Sequence, residues 1–161
     1  MEIIVSAKHY EIDDELKALA ETQTKKLESE FELQKLTSLR IVFSLERNWH
    51  IADALLNGKR FTFNAKAVSN DMRVSLAKVI EKLEKQVRDM WINDHSHMIL
   101  TFARECRDEI THSPDEWTNV LNVAEEYESY VTENRATNGI ITQDTEYIRR
   151  LYQEMSREHR I

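Results

Sequence analysis

Residues 49–90, WHIADALLNGKRFTFNAKAVSNDMRVSLAKVIEKLEKQVRDM, decide the fold, because two strand patterns and one helix pattern follow each other there. Residues 49–56 and 59–68 have strand character, and Asn57-Gly58 between them is a strong signal for a type I′ hairpin turn. From Ser69 onward the apolar residues recur with helical spacing instead. They are Met72, Leu76, Val79, Ile80, Leu83, Val87 and Met90. The segment therefore predicts a β-hairpin followed by a helix with one apolar face.

The residues before the hairpin predict two more strands and one more helix. Residues 2–8 and 38–46 alternate between apolar and polar side chains, as half-buried strands do. Between them, Asp13 or Asp14 is placed to cap a helix with one apolar face. The order is then β-α-β-β-β-α, and one sheet with two helices on one face buries both helical stripes. We therefore predict an α+β fold in which residues 1–92 form one domain.

The rest of the chain, residues 93–161, predicts an α-helical extension. Residues 96–110 are compatible with one helix, and SPDEW (113–117) has the Ser-Pro-x-Glu pattern that starts a capped helix. A break at ATNG (136–139) precedes a last helix over residues 142–160. The aromatic residues of this extension fit either internal packing or an interface with a second copy or a protein partner. They are Trp117, Tyr127, Tyr130, Tyr147 and Tyr152.

Charge is distributed unevenly along the chain. Residues 1–90 contain 15 basic and 15 acidic side chains, whereas residues 91–161 contain 7 basic and 14 acidic ones. The whole formal charge of −7 therefore lies in the second segment. The overall acidity does not exclude a nucleic-acid partner for the first segment, but it argues against direct contact of the second with nucleic acid. The acidic extension is also suited to cover basic side chains of the first segment.

Three lysines lie on one flank of the helix that follows the hairpin, although neighbouring like charges repel by a few tenths of a kcal/mol per pair. They are Lys78, Lys82 and Lys85. One interpretation is an ordinary solvated helix face. The other is a phosphate-facing edge, in which each lysine releases counterions from a nucleic acid. Helical periodicity does not decide between the two.

Several classes of protein are disfavoured by composition. The single cysteine, Cys106, allows no internal disulfide framework and fits a reducing compartment. The start of the chain lacks a signal-peptide pattern, and no apolar run reaches the roughly 18 to 20 residues that span a bilayer. With two glycines and one proline, the chain has no glycine-rich phosphate loop. We expect a cytoplasmic protein that is not an enzyme and binds no cofactor, membrane or small-molecule substrate.

Two further groups of residues have side chains that are able to form a site. The histidines and the cysteine of the extension match no standard zinc spacing, and no partner is identified that would activate the thiol, so we predict neither a metal site nor a nucleophile. They are His95, His97, Cys106, His112 and His159. Trp49 and His50 on the hairpin are able to stack on nucleobases, but packing in the core or at the sheet edge is favoured.

Residues 1–90 resemble the family of ribosome hibernation-promoting factors and ribosome-associated inhibitor A, also called sigma-factor modulation proteins. The resemblance rests on a collinear set of segments: SAKHYEIDDEL (6–16), KKLE (25–28), RNWHIADALLNGKRFTFNAKA (47–67), NDMRVSL (70–76) and EKLEKQV (81–87). It implies a fold similar to a double-stranded-RNA-binding domain. It also implies a non-catalytic protein that binds small-subunit rRNA in the cleft where mRNA and tRNA pair, inhibits translation and protects idle ribosomes in starved or stationary-phase cells.

The resemblance assigns rRNA binding to Lys8, Lys82 and Lys85, and the helical wheel adds Lys78 and Arg88 to the same row. The chain departs from the family in three respects. Arg73 replaces an aromatic residue, acidic Asp89 and Asp94 replace a basic cluster, and residues 91–161 do not resemble the C-terminal dimerisation domain of long members. The alternative function is a protein-interaction or stress-regulatory module that keeps the fold without tight rRNA binding.

Overall fold

The computed structural model describes residues 1–133 and 139–161, which divide into two compact units, Met1–Arg88 and Asp89–Ile161. The elements are β1 Glu2–Lys8, α1 Asp14–Glu30, a 3₁₀ turn Glu32–Gln34, β2 Leu36–Glu46, β3 Trp49–Gly58, β4 Thr62–Ser69, α2 Met72–Arg107, α3 Pro114–Glu133 and α4 Gly139–Arg157. The predicted α+β class and the β-α-β-β-β-α order are confirmed.

The sheet of the first unit has one face covered by helices. Its strands lie in the order β1-β2-β3-β4, with β1 parallel to β2 and the other pairs antiparallel. Alternate residues of the strands enter one core with residues of α1 and α2, including Leu39, Ile41, Phe43, Ala54, Ala65, Leu16, Leu27, Leu76 and Leu83. The intervening residues of each strand point to the other face, which we call the open face. Among them, Ile4 and Val68 are exposed.

The cap predicted for the first helix is present. The Asp13 side chain accepts a hydrogen bond from the backbone N–H of Leu16 at 2.7 Å, and Asp14 and Glu15 follow in the first turn. A carboxylate at this position satisfies one of the free N–H groups of the helix and complements its dipole.

The hairpin turn lies two residues later than predicted. The backbone N–H of Gly58 donates to the carbonyl of Phe61 at 2.9 Å, so Lys59 and Arg60 form the turn. Asn57 stays in the ladder opposite Thr62, whose hydroxyl donates to the Asn57 side chain at 3.0 Å. Gly58 is needed for space rather than for a positive φ, because a Cβ there would lie 2.3 Å from the Phe61 ring.

Gly58→Ala is therefore expected to lower the free energy of unfolding of the first unit by about 1–3 kcal/mol, the usual range for overpacking. The Phe61 ring cannot move freely, because it packs on the core and on Phe63, with ring centroids 4.9 Å apart. Urea unfolding measures the loss. The double variant Gly58→Ala, Phe61→Leu relieves the clash, and an equal loss in both variants would contradict this explanation.

The helix after the hairpin does not end near residue 92. α2 continues for 36 residues, from Met72 to Arg107, and includes residues 96–107 of the segment that was predicted as a separate helix over 96–110. No proline or glycine lies between the two apolar patterns, so nothing in the backbone chemistry stops the helix. The predicted boundary at 92/93 thus falls inside α2, whereas the division of the chain into two compact units lies after Arg88. The functional roles assigned to the two segments stay predictions.

The second unit is built from the C-terminal part of α2 with α3 and α4. Its core contains Ile99, Phe102, Ala103, Trp117, Val120, Ala124, Tyr127, Ile141 and Ile148. The predicted capping box is present: Ser113 N–H donates to Glu116 at 2.6 Å, and Glu116 N–H donates to the Ser113 hydroxyl at 3.2 Å. Of the predicted break at 136–139, residues 136–138 lie outside the described residues, and Gly139 already begins α4.

The aromatic residues of the second unit pack largely within it. Trp117 and Tyr127 are buried, and Tyr152 lies against the Trp117 ring at 5.7 Å between centroids. The Trp91 ring contacts Tyr130 at 4.9 Å, and the Arg107 guanidinium lies over the Tyr147 ring at 4.7 Å. Internal packing therefore accounts for these side chains, and an interface with a second copy or a protein partner stays a prediction.

Candidate nucleic-acid interface

The side of α2 that faces α1 carries arginines whose charges are neutralised. Arg73 pairs with Glu15, and Arg88 pairs with Glu30 and, at 3.8 Å, with Glu84. Partial burial and the nearby Glu30 carboxylate raise the pKa of Glu84, although Arg88 acts in the opposite direction. This side combines cations with carboxylates at contact distance, so it offers little net attraction to a phosphate.

The opposite side of α2 contacts β4, which is an edge strand of the sheet. Lys82 Nζ donates a hydrogen bond to the carbonyl of Lys66 at 2.6 Å, and the Gln86 side chain donates to the carbonyl of Asn64 at 3.2 Å. These two bonds satisfy carbonyl groups that a strand edge otherwise leaves to solvent. Lys82 thus has a structural role in addition to any role in binding.

Four exposed lysines lie along this side, and we call them the basic edge: Lys66, Lys78, Lys82 and Lys85. Within residues 1–133 and 139–161, no carboxylate forms an ion pair with the first three of them. The contrast with the paired arginines of the α1 side is the main electrostatic feature of the first unit. Lys66 was not predicted, although the strand alternation that buries Ala65 and Ala67 indicates that Lys66 points away from the core.

Two of the residues predicted for rRNA binding lie elsewhere. Arg88 does not extend the lysine row, because it points towards α1 and pairs with Glu30. Lys8 ends β1, at the other edge of the sheet, in one register row with Ser44, Ile51 and Val68. Three strand spacings, about 14 Å, separate Lys8 from β4 along this row. The structure therefore brings Lys78, Lys82 and Lys85 together and leaves Lys8 at the far edge.

The two aromatic side chains considered for base stacking differ in their surroundings. The His50 ring packs edge-on against Tyr10 with centroids 5.8 Å apart, and the His50 carbonyl accepts a hydrogen bond from Ser75. Trp49, in contrast, is 56% exposed. Packing, which the sequence favoured for both, is confirmed for His50, whereas a place in the core is wrong for Trp49.

Two histidines of the second unit, His95 and His112, are engaged in separate contacts. His95 stacks on Trp91 at 3.8 Å and contacts Glu126 at 3.2 Å, whereas His112 stacks on Phe102 at 4.1 Å. In the described part of the chain, no three potential ligands from His, Cys, Asp and Glu come together to hold a metal ion. Also within that part, no helix is both long and apolar enough to cross a membrane.

Cys106 is expected to react slowly with alkylating agents. Burial, with a contribution from the Glu105 carboxylate, raises the pKa of the Cys106 thiol to about 11. Because the thiolate is the reactive form, alkylation by iodoacetamide at pH 8 should be about a hundredfold slower than in the urea-unfolded chain. Mass spectrometry of timed samples measures both rates. Folded and unfolded rates within a factor of five of each other would contradict the raised pKa.

Comparison with protein families matches residues 3–90 to the family described as "Sigma 54 modulation protein / S30EA ribosomal protein". The chain belongs to this family. The match covers the sheet, α1 and the part of α2 that carries the basic edge, so the resemblance stated from the sequence is confirmed. The members of the S30EA family are ribosome-associated modulation proteins. Ribosome association is therefore a family property of this chain.

Solved structures agree with the fold of the S30EA unit. A ribosomal subunit interface protein from Coxiella burnetii has 24% identity and a TM-score of 0.52, covering 56% of this chain and 97% of that one. The Protein Y N-terminal domain from Thermus thermophilus has 18% identity and a TM-score of 0.50, covering 56% of this chain and 99% of that one. At 24% and 18% identity, these two similarities show a shared fold. A comparison with curated proteins gave no match.

Proposed function

We propose that this S30EA-family protein binds the small ribosomal subunit through its basic edge, on rRNA in the cleft where mRNA and tRNA pair, and thereby inhibits translation. A protein in this cleft would prevent initiation, which suits a hibernation factor of idle ribosomes in starved cells. The family match and the similarity to a protein named for the ribosomal subunit interface support this proposal.

The observation that carries the proposal is the basic edge itself. In a chain with a formal charge of −7, the exposed Lys66, Lys78 and Lys82 form no ion pair with a carboxylate within the described residues, whereas the arginines on the other side of α2 do. The repulsion between neighbouring lysines costs a few tenths of a kcal/mol. Counterion release at several phosphates is far larger and accounts for such an arrangement.

The test is co-sedimentation of the full chain with purified small and large subunits across a salt series. We expect tight binding to the small subunit, with an affinity that falls steeply as salt rises, and weaker binding to the large subunit. Subunits loaded beforehand with mRNA and initiator tRNA should bind less protein, because the ligands share the cleft. A well-folded chain that binds neither subunit would refute the proposal, and undiminished binding to loaded subunits would refute the cleft.

The second unit is not part of this proposed surface. Two of its arginines are paired with acids: Arg107 pairs with Asp144, and Arg149 pairs with Glu128 at 2.7 Å. The remaining acidic excess would repel rRNA phosphates. We therefore place rRNA binding in the first unit alone.

A further inference from the structure

The open face of the sheet contains a concave site next to the turn between β2 and β3. The site has a volume of about 500 Å³ and is lined by Glu46, Arg47, Trp49, Ile51, Lys66 and Val68. This volume lies within the range of about 300–1,000 Å³ that is usual for small-ligand sites. We call this site the Trp49 pocket.

The strand register explains how the pocket is built. Ile51 and Val68 are directly paired across β3 and β4 on the open face and form an apolar floor. The two strands run antiparallel, so Trp49, the next open-face residue along β3, and Lys66, the next along β4 and opposite Asp53, lie on opposite sides of this pair. Arg47 lies in the turn with a left-handed φ of 56°. An exposed indole and a lysine therefore flank the apolar floor, and Arg47 lies in the adjoining turn.

Exposure sets Trp49 apart from the other large aromatic side chains. It is 56% exposed, whereas Trp117 of the second unit is 1% exposed. Exposed tryptophan next to cations is the combination with which proteins bind single-stranded nucleic acid, since the ring stacks on a base while the cations hold the phosphates. In the described part of the chain, no ring contact or cation above the ring is found for Trp49 that would account for the indole internally.

The pocket is continuous with the basic edge. Lys66 lines the pocket with its side chain, and its backbone carbonyl holds the ammonium of Lys82 at 2.6 Å. Lys66 thus belongs to both surfaces, and an RNA strand bound along the basic edge would reach the pocket at this residue. Of the charged groups that line it, Arg47 and Lys66 favour phosphate, and the single carboxylate, Glu46, is able to accept a hydrogen bond from an exocyclic amino group.

We propose that the Trp49 pocket binds one unpaired nucleobase of the RNA whose phosphates lie on the basic edge. Trp49 stacks on the base, while Arg47 and Lys66 contact the flanking phosphates. The base must be unpaired, because a base inside a duplex does not expose its face. This inference rests on the proposed function and adds to it a recognition of single-stranded or bulged RNA.

The experiment compares Trp49→Ala, Trp49→Phe and wild type in binding to a mixed-sequence single-stranded RNA 12-mer, to the 12-base-pair duplex and to small subunits. We expect Trp49→Ala to weaken binding to the single strand and to the subunit by roughly tenfold, and to leave duplex binding within twofold. Trp49→Phe keeps a stacking ring and should lose less than threefold. The fluorescence of Trp49, obtained as the difference between wild type and Trp49→Phe, should be quenched by the single strand.

Separate outcomes test the pocket and the proposed function. If wild type binds the subunit and Trp49→Ala binds it equally well, the pocket holds no base, and the proposed function stands. If Trp49 fluorescence responds to protein concentration and not to RNA, the pocket belongs to an interface with a second copy, and the inference is wrong. If wild type binds neither RNA nor subunit, both fail together. Near-UV circular dichroism confirms that each variant is folded.

Discussion

The triple variant Lys78→Glu, Lys82→Glu, Lys85→Glu is expected to bind the small subunit at least about a hundredfold more weakly than wild type near 0.1 M salt. Three cations on the basic edge become anions, so attraction to phosphate is replaced by repulsion. If each lysine faces one phosphate, the slope of log affinity against log salt should fall by about two to three units, at 0.7 to 0.9 per contact. Co-sedimentation across the salt series measures both quantities.

The matched control is the double variant Arg73→Gln, Arg88→Gln on the other side of α2. Both arginines are paired with carboxylates, so their removal should change affinity for the subunit by less than about threefold. The lysine variant changes the formal charge by −6 and the arginine variant by −2, so losses of log affinity in this ratio of three to one would show that net charge, and not the position of the basic edge, governs binding. A loss in the arginine variant as large as that in the lysine variant would instead place Arg88 in the binding site, as the helical wheel predicted.

Trp117→Ala is expected to have the largest effect on stability, a loss of about 3–5 kcal/mol in the free energy of unfolding of the second unit. Trp117 is 1% exposed, packs edge-on against Phe102 with centroids 4.8 Å apart, and contacts the Tyr152 ring. Its removal leaves a large cavity between elements that the small core cannot refill. Since Trp117 Nε1 has no hydrogen-bond partner within the described residues, the loss comes from packing alone.

Urea unfolding followed by far-ultraviolet circular dichroism measures this effect, and Trp49→Ala is the matched control. Trp49 is mostly exposed, so the control should lose less than about 1 kcal/mol. Similar losses in the two variants would mean that Trp117 does not hold the second unit together.

The sequence was sufficient for the fold of the first unit because several signals agree there. The Asp13 cap, the strand alternation and the apolar stripe of α2 all indicate the same arrangement. The prediction from sequence was wrong at two places, the hairpin turn and the end of α2. The turn lies later than predicted because the Asn57 side chain bonds across the ladder to Thr62 and Gly58 leaves space for the Phe61 ring. A two-residue turn signal contains neither contact. α2 was predicted too short because its interruption was inferred from a change of residue pattern without a residue that breaks helices.

The candidate site was predictable where it depends on helical spacing. Lys78, Lys82 and Lys85 share one side because of their positions along α2. Lys66 and the Trp49 pocket depend on which strand lies beside which, and Arg88 depends on where α1 places Glu30. These relationships join residues that are distant in the chain, and a helical wheel does not contain them.

The bonds that Lys82 and Gln86 make to the carbonyls of β4 also bear on aggregation. An uncovered edge strand is a template on which other chains add strands, and it is a common starting point for fibrils. With those carbonyls occupied, and with positive charge placed along the same edge, copies of the protein repel one another there. Lysines that are proposed to hold RNA would therefore also reduce association between free copies of the protein through this edge.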